Sequence, residues 1–505
     1  MEQAAVERWG MFELSLPGRT DGNPFTDHTV QGRFTGAHED VTVTGFYDGD
    51  GRYTVRFMPS FTGEYRYTVS GTFADRETCG TFTVTEASEG NHGPVRAEGF
   101  HFVYADGTPY YPVGTTCYVW TQQPDGRIEE TLRSLKAARF NKIRFCILPK
   151  HYDYNLGEPR TYPFEGMPMD SSVLTKENFQ EYTGKAEGNR FDLTRPNPAH
   201  FRHLEKCILA LRDLGIEADL IVMHPYDRWG FSCMPREADD LYWNYVIARF
   251  SAFRNVWWSL ANEYDILKEK TTEDWEHYGE LLVRSDPYGH PRSIHNCFDF
   301  YDHTRPWITH CSIQRQELYR GAERTHEWRE MYHKPVVLDE IAYEGNIQHG
   351  WGNISGQELI RRFWEAAVRG GYPGHGETYL DGKEVLWWSH GGELHGESWH
   401  RAGFLLDVLQ AVPGRGLKYL PAEWDSVCAV PEDETLAEKT GYRLYYYSFM
   451  RPSFREFRFE DGRVYRAEVI DTWNMTVTDA GTHSGRFRID LPGREYMAIR
   501  LTYAE

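Results

Sequence analysis

Two stretches decide how this chain is read: Val256-Trp257-Trp258-Ser259-Leu260-Ala261-Asn262-Glu263 and Lys334-Pro335-Val336-Val337-Leu338-Asp339-Glu340. In each, a short apolar run stops abruptly at a carboxylate. Such a run without alternation is the pattern of a parallel strand covered on both faces. On a sheet of parallel strands both carboxylates then stand at carboxyl ends, the edge where α/β folds build their sites.

The same texture runs from about residue 95 to 412. Strands are expected at Tyr111–Thr116, Lys142–Leu148, Ala218–Met223, Val256–Leu260, Arg292–His295, Trp307–Cys311, Val336–Leu338 and Val385–Trp388. Helical periodicity falls between them, at Ile128–Ala138, Pro198–Leu214, Asp239–Phe250, Thr272–Arg284 and Gln357–Arg369. Strands and helices alternating in this way predict an α/β fold, a (β/α)₈ TIM barrel. A doubly wound open sheet is the alternative, but Gly114-Thr115-Thr116-Cys117 is not the Gly-rich phosphate turn expected after its first strand. Lys150–Arg195, rich in Pro, Gly and Asn, reads as an insertion after the second strand that shapes the site.

Both ends of the chain are β. Residues 1–90 hold short alternating runs, such as Arg52–Phe57 and Glu64–Ser70, separated by turns such as Asp48-Gly49-Asp50-Gly51. Residues 413–505 repeat the pattern at Arg443–Phe449, Val464–Asp471 and Arg486–Leu491. Each end predicts a β-sandwich, joined to the barrel at the N-terminal side by the polar linker Glu86–Gly93. The sandwiches could bind glycan, brace the barrel or mediate homo-oligomer contacts.

The net charge of −20, from 55 Lys+Arg against 75 Asp+Glu, argues against nucleic acid and anionic membranes as partners. No apolar run is long enough to span a bilayer, and Met1–Gly10 lacks the pattern of a signal peptide. The eight cysteines are scattered without a Cys-x-x-Cys pair, so buried free thiols and a cytoplasmic location are expected. Aromatics make up 15% of the chain, which suits large cores and also the flat faces that cover sugar rings.

Cleaving a glycosidic bond needs two carboxyl groups in unlike environments, one protonating the departing oxygen and one staying charged beside the anomeric carbon. A single Glu at a strand end is as well explained by a solvated loop. The pair together, each following a buried strand, favours the catalytic reading.

The Asn262-Glu263 and Glu340 strand ends resemble those of clan A glycoside hydrolases, whose acid/base follows an Asn on the fourth strand and whose nucleophile ends the seventh. The runs Phe140-Asn141-Lys142-Ile143-Arg144-Phe145 and His224-Pro225-Tyr226-Asp227-Arg228-Trp229-Gly230 resemble the apiosidase-like barrel family. Glu7-Arg8-Trp9-Gly10-Met11-Phe12-Glu13-Leu14 and Gly45-Phe46-Tyr47-Asp48-Gly49 resemble the sandwich that often precedes it. The resemblance implies Glu263 as acid/base, Glu340 as nucleophile, Asn262 on the sugar 2-hydroxyl, and Arg144 as the cation keeping Glu340 ionised. It implies a retaining hydrolase of an oligosaccharide or glycoside that needs no cofactor. Exo action is expected. An endo-acting hydrolase with the same residues and a binding protein without turnover are the alternatives.

His224 and His310, placed at the ends of the third and sixth strands, are expected to bind substrate hydroxyls, with Asp227, Arg228 and Trp229 lining the pocket. His310 stands near the position where clan members carry a Tyr that orients the nucleophile, which leaves that group unidentified. Trp388 is the expected aromatic platform on the last strand, with Trp387 facing the helices. Tyr118 and Trp120, after strand one, are weaker candidates. His390-Gly391-Gly392-Glu393-Leu394-His395-Gly396-Glu397 has no standard metal spacing and reads as a polar loop over the pocket, with Gly345–Trp351 near it.

Overall fold

A computed structural model describes residues 5–317, 319–380, 386–421, 424 and 426–504. Its centre is a barrel of eight parallel strands: Gly114–Thr116, Lys142–Cys146, Glu217–Met223, Val256–Ala261, Arg292–Ser293, Cys311–Gln314, Val336–Glu340 and Tyr372–His375. We number these barrel strands one to eight. They are ordered 5-4-3-2-1-8-7-6, and a parallel bridge from His295 to Ser312 closes the ring between strands five and six. Every residue of strand four is buried, as both-sided cover requires.

Among the described residues, seven helices of eight residues or more pack outside the ring. Their starts are encoded locally. Thr271 and Asp274 form a reciprocal capping box ahead of Thr272–Ser285, and Asn197 caps the helix that opens with Pro198. The connection from strand five to strand six carries no helix among the described residues.

Two expected strands are displaced. Strand six is Cys311–Gln314, not Trp307–Cys311, so His310 enters the barrel from below instead of closing the strand. Strand eight is Tyr372–His375, and Trp387–His390 is a short helix. Val385 lies outside the described residues. Tyr372-Pro373-Gly374-His375 lacks the apolar run that identifies the other strands. It is nevertheless hydrogen-bonded between strands one and seven.

The antiparallel strands Val95–Glu98, His101–Tyr104 and Pro109–Tyr110 cover the amino-terminal end of the barrel. Phe102 packs there on Trp257, His310 and Tyr372, with ring centroids 4.8, 5.5 and 5.4 Å away. The opposite end, toward which strands four and seven run out into Glu263 and Glu340, is left for the site.

The N-terminal domain pairs a five-stranded and a three-stranded sheet around an aromatic core that includes Phe12, Phe34, Phe57 and Phe82. It is locked to the barrel by charge. Glu205, on the helix Pro198–Asp213, accepts from both Arg56 and Arg249 at 2.7 Å, and Arg249 also reaches Asp48 at 2.7 Å. The C-terminal domain is a six-stranded and a two-stranded sheet, with a short helix, Glu434–Thr440, not expected from the sequence.

Candidate active site

The two carboxylates line one cavity of about 440 Å³ at the carboxyl end of the barrel. Glu263 leaves strand four in a left-handed backbone conformation, φ 52° and ψ 55°, which turns the chain sharply as the strand ends. The Tyr226 hydroxyl donates to its Oε2. Burial and the negative charge of Glu340 raise the Glu263 pKa, and only part of that rise is offset by Tyr226 and Lys150. Glu263 therefore holds its proton more tightly than an ordinary carboxyl group.

Glu340 is equally buried but titrates in the opposite direction. Burial alone would raise its pKa, yet His295, Arg144 and Tyr118 together bring it down to about 2. Tyr118 donates to Oε1, Arg144 Nη1 lies 3.3 Å from the same oxygen, and His295 Nε2 also lies 3.3 Å from it. The adjacent Asp339 is occupied elsewhere, accepting from Lys142 at 2.9 Å and Ser312 at 2.5 Å. Asn262 Oδ1 stands 3.3 Å from the Tyr118 hydroxyl, so Asn262, Tyr118 and Glu340 share one wall. Tyr343 completes that wall. A side chain at Gly376 would put its Cβ 1.9 Å from the Tyr343 ring, so only glycine fits there.

The profile of the apiosidase-like catalytic domain matches residues 96–409, well over half of the chain. This chain belongs to the apiosidase-like family. Domains of unknown function match on either side, DUF5060 at residues 5–72 and DUF5605 at 424–502. A Bacteroides vulgatus ATCC 8482 protein classed as a glycoside hydrolase is 37% identical, with a TM-score of 0.89 over 99% of this chain and 100% of that one. A family 5 glycoside hydrolase from the same organism shares the fold at 15% identity, with a TM-score of 0.59 over 82% of this chain and 94% of that one. A search of curated proteins gives no match. By relationship the chain thus stands among the glycoside hydrolases with a TIM barrel.

In this apiosidase-like barrel, Glu263, Glu340, Tyr118 and Trp388 face the cavity, while Arg144 and Asn262 touch its wall residues from behind. Trp388 does so from the helix Trp387–His390, not from a strand. Its neighbour Trp387 packs inward and donates to Thr115 Oγ1 at 2.9 Å.

Several expected contacts are corrected. His224 is fully buried, its Nε2 3.3 Å from the Leu148 carbonyl, and burial and Lys150 hold its pKa down to about 3. It is a neutral structural imidazole outside the cavity lining. Asp227 folds its own loop, accepting from the backbone of Trp229, Gly230 and Ser232 at 2.8–3.0 Å. Arg228 and Trp229 are spent on Glu158, an ion pair and an indole hydrogen bond of 3.3 Å. His310 lies at the opposite end of the barrel, beneath Trp257, with its centroid 5.1 Å away. Trp120 is core, edge-on to Phe145. His390 reaches Asn155 at 3.1 Å beside a separate surface cleft, so that loop does not cover the cavity. Of the insertion, Lys150 and Tyr152 line the cavity. No cluster that could hold a metal ion is present among the described residues.

Other cavity residues went unread. Tyr226 sits inside the quoted His224–Gly230 run, and alternation along an extended segment would have pointed it opposite to its neighbours. His295 was placed at a strand end without a role. With Tyr118 it makes the contact to Glu340 that His310 does not make. Trp351 ends the Gly345–Trp351 stretch and lines the cavity. Lys150, Tyr152, Phe298 and the Arg315–Glu317 rim carry no pattern of their own, because irregular loops present them, while Gln314 ends strand six.

Proposed function

We propose that this protein is a retaining, exo-acting glycosidase in which Glu263 is the acid/base and Glu340 the nucleophile. The opposed titration of two carboxyl groups in one cavity carries the reading: one is poised to give a proton, the other held as an anion. Glu263 protonates the leaving oxygen while Glu340 attacks the anomeric carbon. The deprotonated Glu263 then activates water to release the sugar. Tyr118, Arg144 and His295 all meet Oε1 of Glu340, which leaves Oε2 as the attacking atom.

Exo action is supported by size and closure. A volume of about 440 Å³ lies at the low end of small-ligand sites. Tyr152, Trp351 and Trp388 wall one side, and His349 meets Asp153 at 3.9 Å to join the two loops that carry Tyr152 and Trp351. All eight cysteines are free thiols, which supports a reducing, cytoplasmic setting.

The test is hydrolysis of a panel of aryl glycosides by wild type and Glu340→Ala, with the anomeric configuration of the first product followed by NMR. Turnover on one glycone, abolished in the variant and giving product of retained configuration, is expected. An inverted product would overturn the mechanism. Cleavage confined to internal bonds of polysaccharides would overturn the exo assignment.

A further inference from the structure

Lys150 is an ammonium enclosed by rings. Its side chain is 2% exposed and its Nζ lies 3.4 Å from the centroid of Tyr118, 4.3 Å from Tyr226 and 4.4 Å from Trp388. Cation–π attraction holds it there. Rings offer no lone pair in the plane of an N–H bond, and among the described residues no oxygen accepts from Nζ and no carboxylate pairs with it. A buried cation is ordinarily paired. The other cations of the barrel core follow that rule: Lys142 is shared by Asp219 and Asp339, and Arg144 meets Glu340. Lys150 alone of these three lines the cavity, between the tyrosine that donates to the nucleophile and the tyrosine that donates to the acid/base.

We infer that Lys150 binds an oxygen of the glycone, the sugar ring whose anomeric carbon reacts, and so selects which glycones are cleaved. The inference rests on the glycosidase reading and deepens it. The three rings fix the ammonium in place, so its free N–H donors are aimed at one position of the ring instead of following whatever sugar arrives. The acceptor is either a hydroxyl or a carboxylate, and both share the chemistry of an oxygen lone pair beside a cation. Tyr118 and Tyr226 each spend their hydroxyl on a catalytic carboxylate, so Lys150 is the charged donor left for the sugar on this side of the cavity, beside the neutral Trp388 indole and Tyr343 hydroxyl. Burial lowers its pKa to about 8, partly offset by Cys146 and the two catalytic carboxylates, so it remains mostly charged at neutral pH.

The experiment uses the full chain and the aryl glycoside that wild type hydrolyses best, with its hexuronide counterpart and a set of its monodeoxy analogues. Lys150→Met and Lys150→Arg are compared with wild type after thermal melts establish that each folds. A lost hydrogen bond to a charged donor lowers kcat/KM on the order of 10- to 100-fold for Lys150→Met, with partial recovery in Lys150→Arg. On one monodeoxy analogue, the one lacking the bound oxygen, wild type and Lys150→Met converge. If the acceptor is a carboxylate, the hexuronide is the better wild-type substrate and loses most in the variant. Equal losses of Lys150→Met on every analogue, or no loss at all, would overturn the inference. Absence of wild-type turnover on every glycoside would instead count against the glycosidase reading.

Discussion

Glu263 joins a strained backbone to an unusual proton. Its left-handed φ costs a non-glycine residue about 1 kcal/mol or more, and its side chain is buried beside a second carboxylate. Both are destabilising, and both serve the chemistry. In Lys150→Met, where the neighbouring ammonium is absent and Glu340 is already ionised, the fall in kcat/KM at rising pH reports Glu263 losing its proton. Its pKa is raised, so that fall is expected above the ordinary carboxylate range. In that background Glu263→Ala should lose the alkaline limb when assayed on dinitrophenyl glycosides, whose leaving group needs no proton, and should lose at least 100-fold on an alkyl glycoside. An alkaline limb that persists in the variant would assign it to another group. At this scale the sequence was informative where a side chain ends a regular strand, as with Glu263 and Glu340, and Arg144 reaches the same place from the middle of strand two. It misled where a polar residue next to a strand end is consumed by its own loop, as with Asp227 and Arg228.

The loop after strand five shows how an element is held for use. Asp265, two residues beyond the acid/base, accepts backbone N–H bonds from Cys297, Phe298 and Asp299 at 2.6, 2.7 and 2.9 Å. One carboxylate thereby fixes the rim that carries Phe298, an aromatic 69% exposed at the cavity mouth. Asp265→Ala should free these three amides, seen as faster hydrogen exchange confined to residues 297–299, with KM rising several-fold and the melting temperature little changed. Uniform exchange across the barrel would show a global role instead. Elements were read well when apolar runs were unbroken, as in strands two, three, four and seven. Strand eight escaped because Tyr372-Pro373-Gly374-His375 derives its place from its neighbours' hydrogen bonds and not from apolar composition. The Trp387–Trp388 pair mimicked it for the opposite reason, being apolar without being a strand.

Across the whole molecule, the N-terminal sandwich is a brace. Glu205, Arg56 and Arg249 are all buried, with 6, 8 and 0% exposure, so the triad is a lock within the joint and not a surface pair. Removing the shared partner in Glu205→Ala leaves Arg56 with Glu13 and Arg249 with Asp48, each short of a buried hydrogen-bond partner, and should lower the stability against denaturant by about 1–3 kcal/mol. Loss of less than about 1 kcal/mol would mean that water reaches the interface. At the distal end, Glu432 meets Arg329 and stands 3.2 Å from His101, which ties the C-terminal domain to the underside of the barrel. The three-part order was legible from texture alone, whereas these interdomain contacts were not, since their partners lie 149 and more than 300 residues apart in sequence.

Among the described residues the ring is fastened lightly between strands five and six, by the bridge at His295 and the Arg292–Thr309 and Asn296–Gln314 hydrogen bonds, and the same His295 stands 3.3 Å from Glu340. The seam most easily parted is therefore also the one that keeps Glu340 in aim. A slight yawning of the barrel there would silence the enzyme while nearly every other contact stayed intact, so inactivation by heat is set to run ahead of unfolding.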